Sequence, residues 1–165
     1  MLSFLRKLTA ATPAPVAAPV AAVTPVAEKV DPFMLGLHDA QLSGWFNEET
    51  GELYKGFPVS ADDIVIDVGC GDGGNMQFCG RRGARLIVAD IDGDKIEQAR
   101  QRLSETPARS VECHVTDGNP LPIADGTATR VVSTEVLEHV DDPAQFLAEL
   151  VRVGQSGALY LLSVP

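Results

Sequence analysis

Basic residues and cysteines are scarce in this 165-residue chain. Thirteen Lys and Arg stand against twenty-three Asp and Glu, a formal net charge of −10. That sign excludes a general binder of the nucleic-acid phosphate backbone, which depends on a basic surface. It leaves open a nucleotide-sized ligand held by backbone amides. Three cysteines, Cys70, Cys79 and Cys113, form no CxxC pair and no disulfide framework. Reduced thiols and a cytoplasmic location are the expectation. Long apolar runs are missing too, so no membrane span is expected. The start, Met1-Leu2-Ser3-Phe4-Leu5-Arg6-Lys7-Leu8, is similar to a signal peptide's, but prolines interrupt the apolar stretch such a leader needs.

The chain does have enough hydrophobic residues, 45% against 22% charged, to bury the core of one ordinary domain. Eighteen of the first thirty-two residues are Ala, Pro or Val, with prolines at 13, 15, 19, 25 and 32. Residues 1–32 therefore read as a disordered tether. Residues 33–61 hold the single tryptophan, Trp45, with Phe46, Tyr54 and Phe57. They read as a helical or irregular cap that packs over the sheet. All of the net acidity falls in residues 33–165, the part expected to fold.

From Asp62 the pattern turns regular. Ile64-Val65-Ile66, Leu86-Ile87-Val88, Val111 to Val115, Arg130-Val131-Val132-Ser133 and Ala158 to Leu162 are five short apolar strands. Ile96, Ala99 and Leu103 recur at helical spacing. Asp142-Pro143 supplies a cap and a first-turn proline for a helix whose apolar face is Phe146, Leu147, Leu150 and Val151, with Gly154 as its stop. Strands apolar on both faces, alternating with helices, predict an α/β fold with a parallel sheet covered by helices. Between Asp117 and Thr129, two prolines and Asp125-Gly126 predict a loop in place of one crossover helix.

The chemistry concentrates at the end of the first of these strands, in Asp67-Val68-Gly69-Cys70-Gly71-Asp72-Gly73-Gly74. Glycines there allow a sharp turn and the close approach of a ligand to main-chain atoms. Glycines 69, 71 and 74 also satisfy GxGxxG, by itself a weak sign of a dinucleotide site. Asp90, twenty-one residues after Gly69 and at the end of the second strand, suits a ribose diol. NAD-type and adenosyl-type ligands share that arrangement. Asp67 separates them, because a carboxylate at the strand tip repels a pyrophosphate and attracts an ammonium-bearing ligand. A plain capping role for the following turn is the alternative.

These residues, with Ser133-Thr134-Glu135-Val136-Leu137-Glu138-His139-Val140-Asp141-Asp142-Pro143, resemble a class I S-adenosylmethionine-dependent methyltransferase of the type 11 small-molecule group. The resemblance covers roughly residues 62–165. It implies a Rossmann-like doubly wound sheet of strand order 3-2-1-4-5. It also implies methyl transfer from S-adenosyl-L-methionine to a small-molecule acceptor, with no nucleic acid. Asp67, Gly69, Cys70, Gly71 and Gly73 then surround the methionine part of the cofactor. Asp90 takes the ribose hydroxyls, Ile91 lies beside the adenine, and Asp117-Gly118 meets the adenine amino group. The family often has Asp-Ala at that pair. Leu121-Pro122-Ile123-Ala124-Asp125-Gly126 resembles the loop that follows, and Ser133 and Thr134 fall where the reactive methyl faces the acceptor.

Glu135, Glu138 and His139, at i, i+3 and i+4, resemble the metal-binding set of small-RNA 2′-O-methyltransferases, yet the same residues order a loop in metal-free relatives. No metal is expected, and His139 is the candidate general base. Two other functions remain: an NAD(P)-dependent oxidoreductase, from the GxGxxG spacing, and a non-catalytic adenosyl-ligand module. The family normally adds a helix and an antiparallel hairpin after its fifth strand. Here the sequence stops just past that strand, so a C-terminally incomplete domain with an exposed sheet edge is expected.

Overall fold

The computed structural model describes residue 37 and residues 39–165. The expected tether, residues 1–32, lies outside them. Residues 37 and 39–42 are helical, and three short strands follow: β1 (Trp45–Asn47), β2 (Glu52–Tyr54) and β3 (Phe57–Pro58). They form an antiparallel meander, where a helical or irregular cap is the sequence reading. Gly51 and Gly56, at φ +75 and +84, make the turns that the meander needs.

The remaining elements alternate. They are β4 (Ile64–Val68), α1 (Gly74–Arg81), β5 (Arg85–Asp90), α2 (Gly93–Ser104), β6 (Ser110–Val115), β7 (Ala128–Thr134), a 3-10 turn (Leu137–His139), α3 (Pro143–Val153) and β8 (Gly154–Ser163). The five long strands lie in the order β6-β5-β4-β7-β8, all parallel. Counted along the chain, that is the expected 3-2-1-4-5, a Rossmann-like α/β sheet. No antiparallel strand joins it among the described residues. No helix connects β6 to β7, as the prolines and Asp125-Gly126 require.

Strand side chains alternate between two cores. Val65, Leu86, Val88 and Val132 join Phe78, Ile96, Ala99 and Leu103 on one face, where the meander also packs through Leu53 and Phe57. Ile66, Ile87 and Val131 meet Phe146, Leu150 and Val153 of α3 on the other. Asp92 and Asp142 cap α2 and α3, accepting from Asp94 and Lys95 amides and from the Gln145 amide. Asp63 ties the meander to the sheet. It accepts from the Ser60 amide and hydroxyl at 2.8 and 2.9 Å, from Thr129 Oγ1 at 2.8 Å, and pairs with Arg130 at 3.2 Å.

The end of α3 differs in detail from the sequence reading. Gly154 stops the helix with an ordinary φ of −74, and the left-handed residue is Gly157, at φ +82. The strand thus begins at Gly154, with an irregularity before Leu159 regains register opposite Arg130. Among the described residues β8 pairs with β7 alone, and Leu159, Tyr160 and Leu162 are each more than a third exposed.

Candidate functional site

Parallel strands of an open α/β sheet present their carboxyl ends to a common crevice, and β4, β5, β6 and β7 all end at the same one. Where β4 stops, the chain winds around the end of β5. The amides of Gly69 and Cys70 donate to the Ala89 carbonyl at 2.7 and 3.1 Å, and the Gly73 amide donates to the Cys70 carbonyl at 3.0 Å. The Gly71 amide donates to Asp90 Oδ2 at 2.8 Å, while Asp90 Oδ1 accepts from the Asp92 amide at 3.0 Å. Asp90 thus braces the turn and still presents its carboxylate to the cleft.

Gly69, at φ +78, has no room for a side chain. A Cβ there would run into the Val136 side chain. Gly71, at φ +52, is the opposite case, since a Cβ there meets nothing within 4 Å. The space it leaves belongs to the cleft.

That cleft has a volume of about 490 Å³. It brings together Gly69, Gly71, Asp90, Ile91, Asp117, Gly118 and His139 of the residues singled out above. Ile91 is 74% exposed and offers an apolar face to a ligand. Gly118, at φ +83, explains the departure from Asp-Ala: a Cβ there would lie 3.4 Å from the Phe146 ring in a left-handed conformation.

Four other candidates do not line the cleft. Asp67 lies beneath it, 1% exposed, with no hydrogen-bond partner at Oδ1. Burial, aided by Asp90, pushes its carboxyl up to about 7. Cys70 is buried with Sγ 3.4 Å from the Gly71 carbonyl, and burial and then Asp67 push its thiol up. Gly73 packs against α2, where a Cβ would lie 3.1 Å from Ala99. The Ser133 hydroxyl donates to the Val68 carbonyl at 2.8 Å, joining β7 to β4.

The carboxylate–histidine cluster does not form as a helical face. Glu135 precedes the 3-10 turn at φ +56, and its Oε1 accepts from the Ser163 hydroxyl at 2.9 Å. Glu138 Oε1 is 3.9 Å from His139 Nε2. Among the described residues no three His, Cys, Asp or Glu side chains are grouped to hold a metal ion. His139 stands at the cleft with its side chain 77% exposed.

Reading the sequence misses the wall opposite the glycine turn, made by Val136, Val140, Gln145 and Phe146. Its one advance signal is the Asp142-Pro143 start of α3, which puts the first turn of that helix at the strand ends.

Four amides of the glycine turn are bonded within the protein. A pyrophosphate needs unpaired amides, and those of Gly69, Cys70, Gly71 and Gly73 are all taken by protein acceptors. Among the described residues neither Lys nor Arg lines the cleft.

Comparison with known proteins decides the family. The family profile described as "Methyltransferase domain" matches residues 66–162. The chain belongs to this methyltransferase family. Its cofactor is S-adenosylmethionine. The domain is 34% identical over 110 residues to Methyltransferase GfsG of Streptomyces halstedii, covering 66% of this chain and 40% of that protein. It is 32% identical over 128 residues to a probable S-adenosylmethionine-dependent methyltransferase of Mycolicibacterium smegmatis, covering 76% of this chain and 47% of that one. Among solved structures, a geranyl diphosphate methyltransferase in complex with GPP and sinefungin is 26% identical, with a TM-score of 0.58, covering 64% of this chain and 40% of that one. The chain spans less than half the length of the curated relatives it matches. Among the described residues of this methyltransferase domain, no helix is long and apolar enough to cross a membrane.

Proposed function

We propose that this domain transfers a methyl group from S-adenosylmethionine to a small, non-anionic acceptor in the cytoplasm. The observation that carries this reading is the pairing of a glycine turn open at Gly71 with two acidic side chains, Asp67 below and Asp90 beside it. When bound, the cofactor supplies an electrophilic methyl carbon on a good leaving group. The protein's task is then mainly alignment of acceptor, methyl and sulfur.

In this reading Asp90 accepts from the ribose hydroxyls, Ile91 lies against the adenine and Asp117 takes its amino group. Asp67 offsets the ammonium charge. His139, exposed at the cleft, takes a proton from the acceptor where the chemistry requires it. Asp90, Asp117, Glu135, Asp141 and Asp142 line the cleft with no Lys or Arg among them. A phosphate or diphosphate acceptor would meet repulsion at close range.

Calorimetric titration with S-adenosylhomocysteine tests the reading. Binding is expected, with Asp90→Ala weakening it at least tenfold, on the order of 1.4 kcal/mol. A folded chain with no heat of binding would sink it. Labelled S-adenosylmethionine offered to a panel of neutral, amine and phosphorylated acceptors then identifies the acceptor class.

A further inference from the structure

The crossover from β6 to β7 runs as a loop over residues 116–127, and Pro120 and Pro122 deprive it of two amides. Its near end, Thr116 to Asn119, lines the cleft on the side read above as the adenine side. Inside the loop, Thr116 Oγ1 accepts from the Gly118 amide at 3.1 Å, Asp117 Oδ1 from the Asn119 amide at 3.0 Å, and the Leu121 carbonyl from the Ile123 amide at 2.8 Å. Most of what holds it comes from one face of α3, at positions 145, 146, 149 and 152. Gln145 Nε2 donates to Asn119 Oδ1 at 2.7 Å, and the Phe146 ring packs at Gly118. Glu149 Oε2 accepts from the Leu121 amide at 2.8 Å.

Arg152 holds the far half of the loop. Nη2 donates to the Leu121 carbonyl at 3.0 Å, and Nη1 to the Ile123 carbonyl and Asp125 Oδ1, each at 2.7 Å. Glu149 receives the same guanidinium in bidentate fashion, at 2.8 and 2.7 Å, and so sets its plane. The Arg152 carbonyl accepts from the Gly126 amide at 2.8 Å, closing the lacing.

We infer that Arg152, oriented by Glu149, is a positioning residue for the adenine end of the cofactor site. It touches no part of the cleft. It acts through Leu121, whose carbonyl and amide are both gripped, on the backbone of Asp117, Gly118 and Asn119. Burial of Leu121 and Ile123 would keep the loop on the core without it. Burial does not fix which way two carbonyls point, whereas a planar fork with several donors does. Lysine, a single charge without the fork, does not replace it. The inference rests on the cofactor reading of the cleft given above.

Two measurements on the full chain test it. In the first, the ratio of affinities for S-adenosylhomocysteine and S-inosylhomocysteine reads recognition of the adenine amino group. The unaltered chain should prefer the adenine form about tenfold. Arg152→Lys and Arg152→Met should reduce that preference to about twofold or less, while Asp90→Ala weakens both ligands and keeps it. A folded Arg152 variant that retains the full preference overturns the inference. Should the Met variant not fold, the Lys variant decides. The second measurement needs no ligand. Amide hydrogen exchange at Gly118 and Asn119 should quicken about tenfold in Arg152→Lys, and unchanged exchange there overturns the inference equally. A chain that binds neither ligand refutes the cofactor reading, and the exchange result still decides the role of Arg152.

Discussion

A carboxyl group enclosed by a parallel sheet with an unpartnered oxygen is costly to ionise, and Asp67 is such a group. Unfolded, it loses its proton near the ordinary aspartate value of about 4. Folded and without cofactor, it keeps the proton up to about 7. Between those values the folded state binds more protons, so Asp67 lowers stability as pH rises through this window. The full penalty, at most about 4 kcal/mol, is reached above pH 7. Asp67→Asn should remove it. Its melting temperature should exceed that of the unaltered protein at pH 8, with the difference vanishing at pH 4. An ammonium-bearing ligand favours the ionised form, so affinity for S-adenosylhomocysteine should rise with pH up to about 7 and level off above it. A pH-independent affinity would separate Asp67 from the ammonium.

Gly71→Ala makes a second test at this scale. The left-handed φ costs about 1 kcal/mol of stability, yet nothing in the protein obstructs the new methyl. Ligand affinity should fall by more than that cost, because the methyl occupies cleft space. That Gly69, Gly71 and Asp90 line the cleft was legible in the sequence, since glycine spacing and strand-end acids are local features, whereas Ile91 came only through the family resemblance. The inward turn of Cys70, Gly73 and Ser133 was not. Each is decided by the partner it meets across the sheet, at the turn or against α2, and spacing carries no record of that partner.

Among the elements, periodicity served α2 fully and α3 in part. Ile96, Ala99 and Leu103 are the buried face of α2; α3 begins at Asp142-Pro143 and buries Phe146 and Leu150, but its third buried residue is Val153, and Val151, read as part of the apolar face, is 63% exposed. The meander was illegible because strands of two and three residues are too short to show alternation. Its attachment to the sheet depends on Asp63, a contact reaching from Ser60 to Thr129. Burial acts to raise the Asp63 carboxyl, but hydrogen bonds from Thr129 and Ser60 and the charge of Arg130 outweigh it and hold it low. Its contribution to stability is present above about pH 4 and is lost as pH falls below that. Thr129→Val should cost roughly 1–3 kcal/mol and move the acid-unfolding midpoint upward, as followed by circular dichroism.

For the molecule as a whole, a net charge of −10 and five carboxylates around one cleft make a field that favours cations. S-adenosylmethionine carries a sulfonium that S-adenosylhomocysteine lacks. Added salt should therefore weaken the former more than the latter. From about 0.05 to 0.5 M salt, where screening shortens from roughly 14 to 4 Å, the ratio of their affinities should drop severalfold. A constant ratio would show that the field does not reach the sulfur.

The two cores divide the molecule optically as well as mechanically. Trp45, the only tryptophan, packs with its ring tilted against Tyr54 at 5.0 Å between ring centroids and against Phe46 at 5.8 Å. It packs on the core that faces away from α3, and it is absent from the cleft wall. Indole emission from this protein is therefore a dosimeter of meander attachment and is blind to cofactor occupancy. A fluorescence titration that stays flat is no sign of an empty cleft, and the same signal will register the first loosening of the meander on heating.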